Sequence, residues 1–178
     1  TSTIPRDYFC YANMLQMNKQ GYFPYTPPMT LLRGLRASID MMNAEGLENV
    51  FKRHNRLASG VRAAVTAWGL KNCAVDRKWH SDTVTAIRVS QDIDANDVIK
   101  TAYYKYGVSL GAGLGPLNGN VFRIGHLGWL NETMVLQALG GVEMAMRDAG
   151  IRFLPGCGVG AAIEKYTDTK APMELAAE

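Results

Sequence analysis

The hydrophobic period of this chain changes near residue 80, and the change restricts the folds open to it. Before it, apolar residues recur every three or four positions. Leu31, Leu35, Ile39 and Met42 mark one helical stripe, and Val50, Leu57, Val61 and Trp68 mark a second. After it, "TVTAIRV" at 83–89 alternates and is rich in β-branched residues, which is the pattern of a strand. Helical stripes then return between short strand-like runs. Helices first, then strands mixed with helices, predicts an α/β or α+β domain whose small sheet is covered by helices.

Glycine and proline punctuate the elements. A weak helical reading covers the first 20 or so residues, ends near Lys19 and stops at Gly21. In "YFPYTPPMT", residues 22–30, Pro24, Pro27 and Pro28 forbid a regular helix or a central strand, so the segment reads as a stiff extended arm. Gly46 and Gly69 close the two helices that follow. Asp94 is placed to cap a helix reaching about Tyr106. Residues 107–120 begin as a short strand and become a glycine-rich loop, and Val121 to Ile124 form the next strand. Asn131 caps a last long helix with Val135, Leu139, Val142 and Met146 inward and Arg147 and Gly150 at its C-terminus. One more short helix fits after Pro155.

Composition narrows the function classes. At 178 residues the chain can bury a real core. Its net charge of +3 comes from scattered basic residues, without the concentrated stripe of a nucleic-acid binder, so no nucleic-acid partner is expected. No apolar run approaches the roughly 20 residues of a membrane span, and no membrane partner is expected. Cys10, Cys73 and Cys157 are far apart and odd in number, which fits reduced thiols and a cytoplasmic location. His54, His80 and His126 show no metal-ligand spacing, so no metal site is expected.

Arg123 poses the sharpest chemical question. It sits in the apolar run "GNVFRIGHLG", and a guanidinium cannot shed its charge, so burial demands a partner. Its planar fork fits a carboxylate. Gly119 and Gly125 would leave room for a ligand; the alternative is an edge-strand arginine paired with a structural Asp or Glu. Tyr25 and Thr26, on the proline-fixed arm, carry hydroxyls that suit phosphate oxygens, and Thr26 is also placed to cap the helix that begins near Pro28. His126 reads either as a packed, hydrogen-bonded histidine or as a catalytic one. "GAGLGPLNG" lacks the Lys-Ser/Thr ending of a phosphate loop and is followed by a strand, so it reads as a loop beside Arg123. Met41, Met42, Met144 and Met146 read as core or near-core filler.

Five stretches, in order from about residue 20 to residue 165, carry a resemblance. They are "GYFPYTPPMTLLRGLRASIDMM", "EGLENVFKRHNRLASGVRAAVTAWGLKNC", "SDTVTAIRV", "GLGPLNGNVFRIGHLG" and "GGVEMAMRDAGI". Together they resemble the class V pyridoxal-phosphate-dependent aminotransferases, closest to the serine–glyoxylate type. The resemblance implies the C-terminal small domain of the aspartate-aminotransferase-like fold, with a three-stranded, mainly antiparallel sheet covered by helices. It implies residues 1–45 as an arm and helix leading to a large cofactor domain, and 46–178 as the small domain.

The implied activity transfers an amino group from serine, or a related donor such as alanine or aspartate, to glyoxylate. Arg123 would grip the substrate carboxylate. Thr26, with Tyr25 as companion, would reach the pyridoxal phosphate of a neighbouring subunit, which implies a homo-oligomer. The family's cofactor-binding lysine lies upstream of the proline-rich arm. None of Lys19, Lys52, Lys71, Lys78, Lys100, Lys105, Lys165 and Lys170 lies in a comparable Ser/Gly-rich turn. The expectation is a chain that is inactive alone and active with an N-terminal large-domain polypeptide. A non-catalytic interaction module with the same fold is the alternative from a different class.

Overall fold

A computed structural model describes residues 4, 5 and 7–168. The chain divides into two compact units, one through Leu47 and one from Glu48 onward.

The first unit holds two helices and the arm between them. α1 is Tyr11–Asn18 and α2 is Met29–Glu45. α1 starts later than the sequence reading places it but ends where expected. α2 begins as soon as the prolines end. It stops at Gly46, whose φ of 82° lies in the left-handed region that glycine adopts without strain. Arg36 and Asp40, one turn apart on α2, pair at 2.9 Å. α2 buries none of its residues, and its apolar stripe is open: Leu31 is 73% and Leu35 55% exposed.

The second unit is built on a sheet. Its helices are α3 (Leu47–Ala67), α4 (Ala95–Tyr106), α5 (Glu132–Asp148) and α6 (Cys157–Thr167). Its strands are β1 (Lys71–Asn72), β2 (Val84–Arg88), β3 (Gly111–Ala112) and β4 (Val121–Gly125). They run in the order β1-β2-β4-β3, and every pairing is antiparallel. The expected three-stranded sheet is therefore four-stranded, and the strand expected directly after Gly107 lies at Gly111–Ala112. The two edge strands have two residues each, too short for an alternating pattern to mark them.

Side chains of a strand alternate between faces, and β2 and β4 place their apolar sets together. Phe122 pairs with Ile87, and Ile124 with Thr85; all four are buried. Leu57, Val61 and Val65 of α3, Val98 and Ala102 of α4, and the expected α5 stripe complete the core on that face. Of the four methionines read as filler, only Met146 is buried. The caps form as expected. Asp94 accepts from the Asn96 N–H at 2.8 Å, and Asn131 from the Met134 N–H at 3.0 Å.

Candidate functional site

Arg123 lies on the other face of the sheet. It is the middle residue of β4 and pairs with Ala86 of β2 on one side and Gly111 of β3 on the other. The register that sends Phe122 and Ile124 into the core sends Arg123 outward, where it is only half-buried. Its Nε donates to the Ala112 carbonyl at 2.9 Å. Among the described residues no Asp or Glu pairs with it, so the structural ion pair held open as an alternative is not made. The guanidinium sits on a backbone carbonyl, and its terminal nitrogens have no carboxylate.

The glycine that gives Arg123 its room is one the sequence reading passed over. A β-carbon at Gly111 would lie 3.0 Å from Arg123 Nε and 3.3 Å from Cζ. Gly119 instead faces the Asp94 carboxylate, and a β-carbon at Gly125 would meet nothing within 4 Å. The glycine-rich loop is tightly closed. Gly113 N donates to the Val121 carbonyl at 2.9 Å, and a β-carbon on Gly113 would run into the Leu117 carbonyl.

His126 is fully buried. Its Nδ1 lies 3.0 Å from the Asp82 carbonyl, which can only accept, so Nδ1 carries the proton and Nε2 accepts from the Thr85 hydroxyl at 2.9 Å. Desolvation pushes its pKa below the ordinary histidine value. That is the packed, hydrogen-bonded reading. His54 is tied the same way, with Nδ1 on the Val50 carbonyl at 2.8 Å and Nε2 accepting from the Gly128 N–H at 3.1 Å.

In the first unit, Tyr25 and Thr26 stand next to each other in an open concavity of the arm, lined also by Tyr8, Tyr22 and Phe23. Tyr25 stacks on Tyr8 with ring centroids 4.6 Å apart. Partial desolvation and a hydrogen bond to Asp7 push the Tyr25 hydroxyl pKa up, which keeps it a neutral donor. The N-cap position of α2 is Pro28, and no side chain caps that helix. The capping alternative for Thr26 is thus not realised, and its hydroxyl has no hydrogen bond among the described residues. The seven lysines among the described residues are all exposed. The Asp148 carboxylate raises the pKa of Lys105, the reverse of what a nucleophilic lysine needs. No helix among the described residues is long and apolar enough to cross a membrane.

No family profile matches the chain. Individual proteins do. It is 57% identical over 162 residues to the serine–glyoxylate aminotransferase of Hyphomicrobium methylovorum, covering 91% of this chain and 40% of that protein. It is 49% identical over 171 residues to the L-aspartate–glyoxylate aminotransferase of Paracoccus denitrificans, covering 96% and 43%. Among solved structures, the pyridoxamine–pyruvate aminotransferase of Mesorhizobium loti superimposes with a TM-score of 0.79 at 33% identity, covering 84% of this chain and 38% of that one. The fold and the sequence are thus those of an aminotransferase small domain. The chain belongs to the class V aminotransferases and corresponds to their C-terminal part, spanning about two fifths of the length of the curated relatives it matches.

Proposed function

We propose that this segment supplies the carboxylate grip of a pyridoxal-phosphate-dependent aminotransferase that moves an amino group from serine to glyoxylate, giving glycine and a 2-keto acid. The observation that carries this is Arg123: a guanidinium held on a backbone carbonyl, on the sheet face away from the core, with no carboxylate partner among the described residues. A substrate carboxylate is the natural counter-ion for such a fork. The names of the relatives supply the substrate class.

The residues present fit one end of the cofactor. Thr26 has a hydroxyl that no helix cap consumes and that can donate to a phosphate oxygen, while the neutral Tyr25 hydroxyl beside it is shared with Asp7. When bound, pyridoxal phosphate supplies the reactive aldehyde and the electron-withdrawing ring. The lysine that engages it, and the residues that read the donor side chain, lie in the remaining three fifths of the polypeptide. Arg123 orients both amino donor and keto-acid acceptor, because both carry the same carboxylate next to the reacting carbon. We place the whole enzyme in the cytoplasm as a dimer or larger homo-oligomer, with Thr26 serving a neighbouring subunit. Aspartate is the second donor reading, supported by the Paracoccus relative.

The test is Arg123→Lys in the full-length enzyme. A point charge replaces a bidentate fork, and kcat/KM for serine and glyoxylate should fall by the equivalent of about 2–5 kcal/mol. Values within about threefold of wild type would sink the assignment. The bound cofactor absorbs visible light, so a colourless full-length protein would favour the interaction-module reading.

A further inference from the structure

An arginine on an open strand has many rotamers, yet recognition of a carboxylate by a fork needs one. Two neighbours restrict Arg123. The Ala112 carbonyl takes the Nε proton at 2.9 Å. Gly111, directly across the β3–β4 ladder, offers no side chain where the guanidinium lies. With Nε engaged, the side-on fork made of Nε and one terminal nitrogen is closed to ligands. The end-on fork made of Nη1 and Nη2 remains.

We propose that Gly111 is a positioning residue for carboxylate recognition: its missing side chain lets the Arg123 guanidinium lie against β3, anchored on the Ala112 carbonyl, so that a carboxylate is taken end-on by Nη1 and Nη2. This rests on the carboxylate-grip reading of Arg123 and extends it to the residue that sets the pose. A β-carbon 3.0 Å from Nε and 3.3 Å from both Cβ and Cζ of Arg123 is too close at three points along the side chain. The contact with Cβ is set by the two backbones, but Nε and Cζ can swing, and relief there takes the guanidinium off the Ala112 carbonyl. Gly111 has no backbone reason to be glycine, since its φ is not positive. In an extended edge strand, alanine is the more favourable residue for the chain itself. A glycine that costs strand stability while clearing space beside a functional arginine is the signature of a positioning role.

The experiment is Gly111→Ala in the full-length holoenzyme, with Arg123→Lys in parallel. The readouts are KM and kcat for glyoxylate, competitive inhibition by glycolate and by its uncharged analogue glycolamide, and the melting temperature. Gly111→Ala should raise the KM for glyoxylate and the Ki for glycolate together by about tenfold, since misplacement by a fraction of an ångström weakens a directional contact. Inhibition by glycolamide should not move, and kcat should stay within about threefold, because carboxylate binding is shared by ground and transition states. The melting temperature should change little, because the tight neighbour is a flexible side chain beside a short edge strand. An unchanged glycolate Ki in Gly111→Ala, with a raised Ki in Arg123→Lys, overturns the role of Gly111 and leaves the grip standing. Unchanged Ki values in both variants overturn the grip and the positioning role together. Loss of folded protein in Gly111→Ala also overturns it, because the glycine is then needed for the fold.

Discussion

Arg123 and His126 lie three residues apart and have opposite environments. Arg123 is half-buried on the sheet face away from the core; His126 is buried between a backbone carbonyl and a hydroxyl and is neutral. Burial lowers the folded-state pKa of His126, mainly by desolvation, with the nearby Arg62 and His54 adding to it and the Asp82 carbonyl opposing. The sign of the pH effect follows. An unfolded histidine takes up its proton near the ordinary value of 6.5, and the folded one only at lower pH. Between the two the unfolded chain binds more protons, so the stability His126 contributes is full above pH 6.5 and is lost as pH falls toward the folded pKa. The urea midpoint of the full-length protein should therefore drop between about pH 7.5 and 5.5. His126→Gln should flatten that slope. An equal slope in the variant would show that another group titrates. The sequence left His126 open between a packed and a catalytic histidine, and the hydrogen bonds to Asp82 and Thr85 are those of the packed one. The closeness of Gly111 to Arg123 was not legible, because twelve residues separate them and only the strand register brings them together.

At the scale of elements, the start of α6 is the most informative join. Its N-cap residue, Gly156, has no side chain to cap with. The Glu143 carboxylate reaches over from α5 instead. It accepts from the N–H groups of Gly156 at 2.7 Å, Gly158 at 2.8 Å and Val159 at 3.1 Å, and from the Trp68 indole at 2.9 Å. The helix N-terminus also favours the negative charge. Gly158 is glycine because a β-carbon there would strike the Trp68 ring. One buried carboxylate thus joins the end of α3, the middle of α5 and the start of α6. Glu143→Ala would leave several buried donors unpaired, at a cost on the order of 3 kcal/mol or more. That corresponds to a fall in melting temperature of roughly 6–12 °C for a protein this size. A change below about 2 °C would show that water replaces the carboxylate freely. No sequence pattern marks Glu143, which interrupts an apolar stripe much as a solvated residue would. By contrast, α4 and α5 were legible from their caps, since Asp94 and Asn131 act within three residues of their own helices.

At the scale of the whole molecule, the chain carries a core and spans about two fifths of the length of its relatives. The α2 stripe of Leu31, Leu35, Ile39 and Met42 is exposed, and exposed apolar surface drives association. The seven described lysines are exposed and, in the case of Lys105, held firmly protonated. The chain by itself should therefore be poorly soluble and have no transaminase activity, and mixing with the N-terminal part should restore both solubility and the visible cofactor band. Borohydride reduction of this chain with pyridoxal phosphate, followed by peptide mapping, checks it. Stoichiometric labelling of a single lysine together with turnover of serine and glyoxylate would show that the catalytic lysine lies within this segment.

What the sequence alone determined was encoded over a few residues: the central helices through their stripes and caps, the arm through its prolines, one longer strand through alternation and the other through an apolar run, and the family through a run of short matched stretches. The tertiary structure decided what depends on residues far apart in the chain. It made the sheet four-stranded, because two-residue strands exist only by pairing with a longer neighbour. It left Arg123 without a carboxylate partner among the described residues, placed Gly111 beside it and put Glu143 at the head of α6. Local pattern reports which face of an element is apolar; only folding determines what meets that face, because the meeting groups are brought together by register and packing.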